Sequence, residues 1–184
     1  MKRLLILIVA LCTLFGCGKK EIEYDNPTGQ IVNMSDFGLA DSKHFYFASY
    51  DSFFELMENK QTVIVMVAHY GCPWCEALAP VVDKMCDQFG YDIYYIDTQN
   101  SANVNDTKGI EKIINACKDY STPNSDGSAG LWLPSLIYLQ NGKIIQIHEG
   151  TVNTHDAHER TMTEKELARL EYNLEKEFSA LTVE

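Results

Sequence analysis

Apolar residues recur along this chain with two different periods, and the places where the period changes mark the elements. Thr62 to Ala68 is almost wholly apolar and rich in valine, which predicts a strand buried on both faces of a parallel sheet. From Pro73 to Phe89 the spacing turns helical, with Leu78, Val81, Val82, Met85 and Phe89 on one side. Pro73 suits a first helical turn, Pro80 is expected to kink the helix, and Gly90 to end it. Tyr91 to Asp97 reads as the next strand, and its short connection implies parallel pairing with the first. Before these lie a short aromatic strand, His44 to Ala48, and a short helix, Asp51 to Asn59. A helix from Thr107 to Tyr120 carries Ile110, Ile113, Ile114 and Cys117 on one face. Ser135 to Leu139 and Lys143 to His148 flank Asn141-Gly142, a strong hairpin signal. Thr163-Glu164-Lys165-Glu166 is a capping box opening a last helix with Leu167, Leu170, Leu174, Phe178 and Leu181 on its stripe. The pattern is α/β, a central mixed sheet flanked by helices.

The amino terminus follows other rules. Met1-Lys2-Arg3 is a basic head, Leu4 to Phe15 is an apolar run too short to remain as a membrane span, and Leu14-Phe15-Gly16-Cys17 closes it. Residues 1–16 read as a signal peptide, and the ending resembles a bacterial lipobox, which implies lipidation at Cys17. An ordinary secretory signal is the other reading. Both export the domain to a compartment that permits disulfides; the lipobox places it on the extracytoplasmic face of the cell membrane, held by its acyl chain. Residues 17–40 are polar, broken by Asn26-Pro27-Thr28-Gly29, and read as a tether. Residues 41–184 then form one domain. Loss of Lys2 and Arg3 with the leader leaves 13 basic residues against 26 acidic ones, a balance that argues against nucleic acid as a partner and against attraction to anionic lipid.

The chemistry lies where the buried strand meets the helix, at Cys72-Pro73-Trp74-Cys75. Two thiols so spaced at a helix start can close a small reversible disulfide, and the positive helix end favours a thiolate. The first thiol is the exposed one and the second sits a turn deeper.

The ordered set formed by the buried strand, Cys72-x-x-Cys75, Pro80, the strand ending at Asp97, Pro134 before a strand, Asn141-Gly142, Gly150 and the last amphipathic helix resembles the thioredoxin superfamily. The exported chain with Gly71-Cys72-Pro73-Trp74-Cys75 and a long insertion before Pro134 is further similar to bacteriocin transport accessory proteins. The resemblance implies a thioredoxin-like fold with the insertion before a cis-proline strand. It also implies a thiol-disulfide oxidoreductase with Cys72 as nucleophile and Cys75 as resolving thiol, Pro134 as the cis-proline, and the Leu133 backbone free to pair with substrate. Trp74 would grip an extended substrate. The cysteines carry the electrons, so no cofactor and no metal is implied. Partners would be exported protein or peptide thiols and disulfides, with an integral membrane electron carrier resetting the pair. The other reading is a binding module for a secreted peptide such as a bacteriocin, with redox turnover secondary.

Several positions depart from that family. Its buried Asp and Lys fall here on Met66 and Ile93, leaving water, Glu76 or His69 to take the proton of Cys75. Cys86 and Cys117 are open to three readings: two buried apolar residues, a disulfide between helices on one sheet, or a second redox pair. The 98–130 insertion is either a rim that selects substrates or a neutral surface addition. His69 beside the two cysteines, and His148, His155 and His158, have spacings that suit a metal, against which the dithiol reading stands.

Overall fold

The computed structural model describes residues 30–181. The signal peptide, Cys17 and the first part of the tether, 17–29, lie outside the described residues. Five strands, β1 (Phe45–Phe47), β2 (Val63–Ala68), β3 (Ile93–Asp97), β4 (Ser135–Gln140) and β5 (Lys143–Glu149), form one sheet in the order β1-β3-β2-β4-β5. The first three run parallel; β4 and β5 run antiparallel. Four helices flank it: α1 (Tyr50–Glu58), α2 (Pro73–Phe89), α3 (Thr107–Cys117) and α4 (Glu164–Ala180).

The central strand explains the layering. All six residues of β2 are buried, and a strand's period of two sends them alternately to opposite faces. Ile64, Met66 and Ala68 join a core built with α2 and α4, whereas Val63, Val65 and Val67 join one built with α1 and α3. Two apolar layers therefore sandwich a strand whose sequence has no polar side to offer.

Local signals place the helices. Ser49 caps α1 reciprocally with Ser52, and Thr163 caps α4 reciprocally with Glu166. Helix α2 continues through Pro80 and ends at Gly90, whose left-handed φ of 74° lets its N–H reach the Cys86 carbonyl. In the β4–β5 turn both Asn141 and Gly142 have positive φ, as the hairpin requires. A side chain at Gly142 would run into the Met57 carbonyl, so glycine also lets the turn dock on the end of α1.

Three expectations shift. Strand β3 starts at Ile93; Tyr91 is instead buried beside α4, donating its hydroxyl to the Leu181 carbonyl at 2.6 Å. Helix α3 stops at Cys117 rather than Tyr120, because Tyr120 and Ser121 both donate N–H to the Cys117 carbonyl and turn the chain. Finally, folded structure reaches back to Gln30, into the stretch expected as tether. Val32 N–H donates to Phe45 O and Phe47 N–H to Gln30 O, both on β1, and Met34 and Phe37 are buried against the α2 core.

Candidate active site

Strand β2 ends at Ala68, and the next four residues turn the chain into α2 with Cys72 at the cap position. Extended backbone at Cys72 (φ −91°, ψ 111°) aims its side chain back at the first turn, where its sulfur accepts the Cys75 N–H at 3.3 Å. A sulfur takes the place of a capping oxygen. Glu76, in the same turn, accepts the Gly71 N–H at 3.0 Å.

The two thiols live differently. Cys72 is half-buried and lines an open groove; Cys75 is fully buried beneath it. Burial, and next the hydrogen bond to the Cys72 sulfur, hold the Cys75 thiol far above its ordinary range, against the weaker opposing effect of the His69 backbone N–H. Cys75 is therefore a thiol at rest. Met66, where the family has its buried Asp, shares the apolar layer that holds Cys75. The strand register places Tyr95, not Ile93, opposite Met66, with Ile93 beside Ile64. Burial first, then the charges of Asp97 and the two cysteines, keep the Tyr95 phenol protonated. Neither proposed proton acceptor is idle: Glu76 holds the Gly71 N–H, and His69 Nδ1 is 3.1 Å from Thr98 Oγ1.

Across the groove the Leu133–Pro134 bond is cis, and Gly150 N–H donates to the Pro134 carbonyl at 2.8 Å. Among the described residues the Leu133 backbone makes no hydrogen bond, which leaves its N–H and carbonyl available for an extended partner. Cys72, Trp74 and Leu133 line this groove together, and Pro134, next in the chain, is buried and not part of its lining.

The groove holds about 580 Å³, and the insertion, read from the sequence as a rim or a neutral addition, supplies part of its lining. That part is Thr122 from the insertion and Trp132 just after it, with Trp132 54% exposed. Another part is His158, whose ring meets that of Trp74 edge to face at 4.6 Å between centroids. Trp74 is thus half-buried rather than a free surface aromatic. The loop carrying His158 is pinned by Glu166, which accepts from Arg160 (2.7 and 2.9 Å), Thr154 and both polar groups of Thr163. The Arg160 hydrogen bonds lead in holding the Glu166 carboxyl far below its usual range. Only the Thr163–Glu166 pairing was visible as a spacing.

Of the histidines weighed as metal ligands, His69 and His158 line the groove with Cys72, while His148 and His155 are engaged elsewhere. His155 is buried between Thr151 Oγ1 (2.9 Å) and the Arg160 carbonyl (2.9 Å), His148 Nδ1 faces Glu177 at 3.1 Å, and His158 lies on Trp74. Among the described residues no group of three metal-binding side chains converges.

Cys86 and Cys117 are both fully buried with free thiols. They belong to opposite cores, Cys86 under α2 and Cys117 under α3. Both helices do pack on the one sheet, but on opposite faces of it, so of the three readings the disulfide is the one that fails: the sheet lies between the two thiols, a separation that a bridge of ~5.5–6 Å between Cα atoms does not cross.

A helix-capping thiol, a buried partner one turn on and a cis-proline across a groove define a thioredoxin-like fold and a dithiol site able to open and close one disulfide. No protein-family model matches the chain, and no curated protein matches its sequence. Solved structures that resemble it include thioredoxin of Fasciola hepatica, 13% identical with a TM-score of 0.45 over 73% of this chain and 96% of that one. A thioredoxin variant from Halobacterium salinarum NRC-1 is 15% identical with a TM-score of 0.44, over 79% and 96% of the two chains. Mitochondrial thioredoxin 3 of Saccharomyces cerevisiae is 11% identical with a TM-score of 0.41, over 62% and 87%.

Proposed function

We propose that this protein is a thiol-disulfide oxidoreductase, held at the outer face of a bacterial membrane through Cys17, that exchanges electrons with exported proteins or peptides. The observation that carries the reaction is the pairing of a groove-lining Cys72 sulfur with a buried, protonated Cys75 on the same helical turn. Attachment rests on the leader sequence alone.

In the reducing direction the Cys72 thiolate attacks one sulfur of a substrate disulfide. The substrate S–S bond breaks, a Cys72–substrate bond forms, and the departing sulfur takes up a proton. Cys75 then loses its proton and attacks Cys72, forming the Cys72–Cys75 disulfide and releasing the second substrate thiol. Two electrons have passed from protein to substrate, together with one proton from Cys75 and one from solvent, the latter balancing the proton Cys72 lost in becoming a thiolate. The oxidising direction is the reverse, and an exchange partner such as an integral membrane electron carrier restores the starting state. Substrate lies along Leu133, whose backbone is open, with Trp74 and Trp132 on either side of the nucleophile.

Insulin reduction tests this. Cys72→Ser is expected to lower turnover by more than about a thousandfold, as loss of a covalent nucleophile does. Cys75→Ser should instead accumulate a Cys72–substrate mixed disulfide, visible by mass spectrometry. Turnover that survives Cys72→Ser overturns the reading. Peptide binding in both variants, without turnover in the parent, would favour the binding module, a role to which the apolar groove is also suited.

A further inference from the structure

The loop 122–132, through which the insertion returns to β4, is an ordered wall, and one carboxylate holds both of its ends. Glu149 closes β5, one residue before Gly150 and opposite Ser135 in the β4–β5 ladder. Its Oε2 accepts the Thr122 N–H at 2.9 Å and its Oε1 accepts the Trp132 N–H at 3.0 Å. Those two residues are where the loop departs from α3 and where it returns to the groove.

Between them the loop closes on itself. Ser121 Oγ donates to the Gly130 carbonyl at 2.7 Å, and Asn124 donates through its side-chain amide to Ser128 Oγ and the Ala129 carbonyl, each at 3.0 Å. Gly130 sits so near Asn124 Oδ1 and the Thr122 carbonyl that a side chain there would clash. The loop is a preformed body, and Glu149 is the point at which it is fixed to the sheet. Trp132 is mostly exposed and has Ser135 Oγ donating to its carbonyl at 2.6 Å. Its position beside Cys72 therefore follows from its backbone, and Glu149 grips that backbone.

We infer that Glu149 is a positioning residue that fixes Trp132 and Thr122 as the wall of the Cys72 groove, and so sets the preference of the site for extended polypeptide disulfides over small ones. The inference rests on the dithiol reading above. A small disulfide needs only the sulfur of Cys72, whereas a polypeptide also lies against the wall. Loosening the wall therefore weakens the polypeptide's hold more than the small molecule's. Aspartate would be a methylene shorter, and glutamine has one oxygen for two N–H donors and would turn its amide donors toward the other.

Two variants of the full-length protein test this, Glu149→Ala and Glu149→Gln, compared for kcat/KM on insulin and on dithiobisnitrobenzoate. The ratio of insulin to small-disulfide kcat/KM is expected to fall about tenfold in Glu149→Ala, chiefly through KM, and by less in Glu149→Gln. The chain has two tryptophans, so in a Trp74→Phe background Trp132 reports alone: its anisotropy should fall and its acrylamide quenching should rise when Glu149 is removed. Folded Glu149→Ala protein with parental Trp132 anisotropy and a parental ratio overturns the inference. If Glu149→Ala does not fold, the same two readouts on Glu149→Gln decide it. A parent inert toward both disulfides would overturn the dithiol function itself, leaving Trp132 anisotropy to decide whether Glu149 holds the wall.

Discussion

Two pairs of cysteines occupy the described residues, and their surroundings differ in every respect that matters to a thiol. Cys72 and Cys75 share one helical turn, their sulfur and backbone in contact, with the outer one open to a groove. Cys86 and Cys117 are each fully buried, one in each apolar layer, with the sheet between them. Burial dominates the upward displacement of Cys86 and Cys117 and of Cys75 too. What separates the motif pair is therefore geometry rather than burial alone: one of its members reaches the surface and presents a sulfur that the other can strike from beneath. What a cysteine can do belongs to its place in the fold, not to the residue type.

Native alkylation puts the greatest strain on that contrast. With iodoacetamide at pH 8, Cys72 should react at least about a thousandfold faster than Cys117. The Cys117 thiol, pushed up to about 12 by burial and then by the Glu149 charge, is ionised in only about one molecule in ten thousand. Cys86, fully buried in the α2 core, should lag as far behind. Rates read by mass spectrometry that agree within tenfold among the three would erase the distinction between the pairs.

Much of this layout could be read from the residues. Periodicity gave the elements to within a few positions because β2 is uniformly apolar and α2 and α4 are striped, and such patterns leave few ways to be buried. The Cys72–Cys75 spacing and Pro134 located the centre of the groove. The insertion could be read as a rim, but neither the residues of it that line the groove nor the loop carrying His158 could be found that way. Glu149 is one of many acidic residues and marks the end of a strand; its role exists only because a loop from 27 residues earlier returns its Thr122 N–H to that spot. Glu166 was legible as the partner of Thr163, four residues of local sequence, while its grip on Arg160 depends on the fold of the loop between. The same limit applied to Cys86 and Cys117. A helical stripe says that a residue is buried, and says nothing of which side of the sheet receives it.

A milder probe asks how each buried pair member tolerates a polar atom. Replacing Cys86 or Cys117 by serine puts a hydroxyl into an apolar layer and is expected to destabilise by about 1–3 kcal/mol, with alanine at the same position less harmful. Denaturant unfolding measures both. Insulin turnover should be unaffected by Cys86→Ala and Cys117→Ala, since neither side chain reaches the groove. A turnover loss in either alanine variant comparable to that of Cys72→Ser would mean that the second pair takes part in the electron path.

The smallest expected effect is also the one that ties the inner pair to pH. Cys117 binds its proton more tightly folded than unfolded, with its thiol raised from 9.0 to about 12. The unfolded chain therefore releases protons first as pH rises. Its contribution to stability is complete below pH 9 and declines as pH climbs from 9 toward 12, the loss amounting to about 1.4 kcal/mol by pH 10. Other buried groups add to the alkaline slope, Tyr95 and Cys86 among them, so the informative quantity is the difference between parent and Cys117→Ala. Plotted against pH, that difference should be flat up to pH 9 and shrink in the parent's disfavour above it. A difference that stays flat to pH 10.5 would place the Cys117 sulfur in contact with water, and the inner pair would lose the seclusion that sets it apart from the outer one.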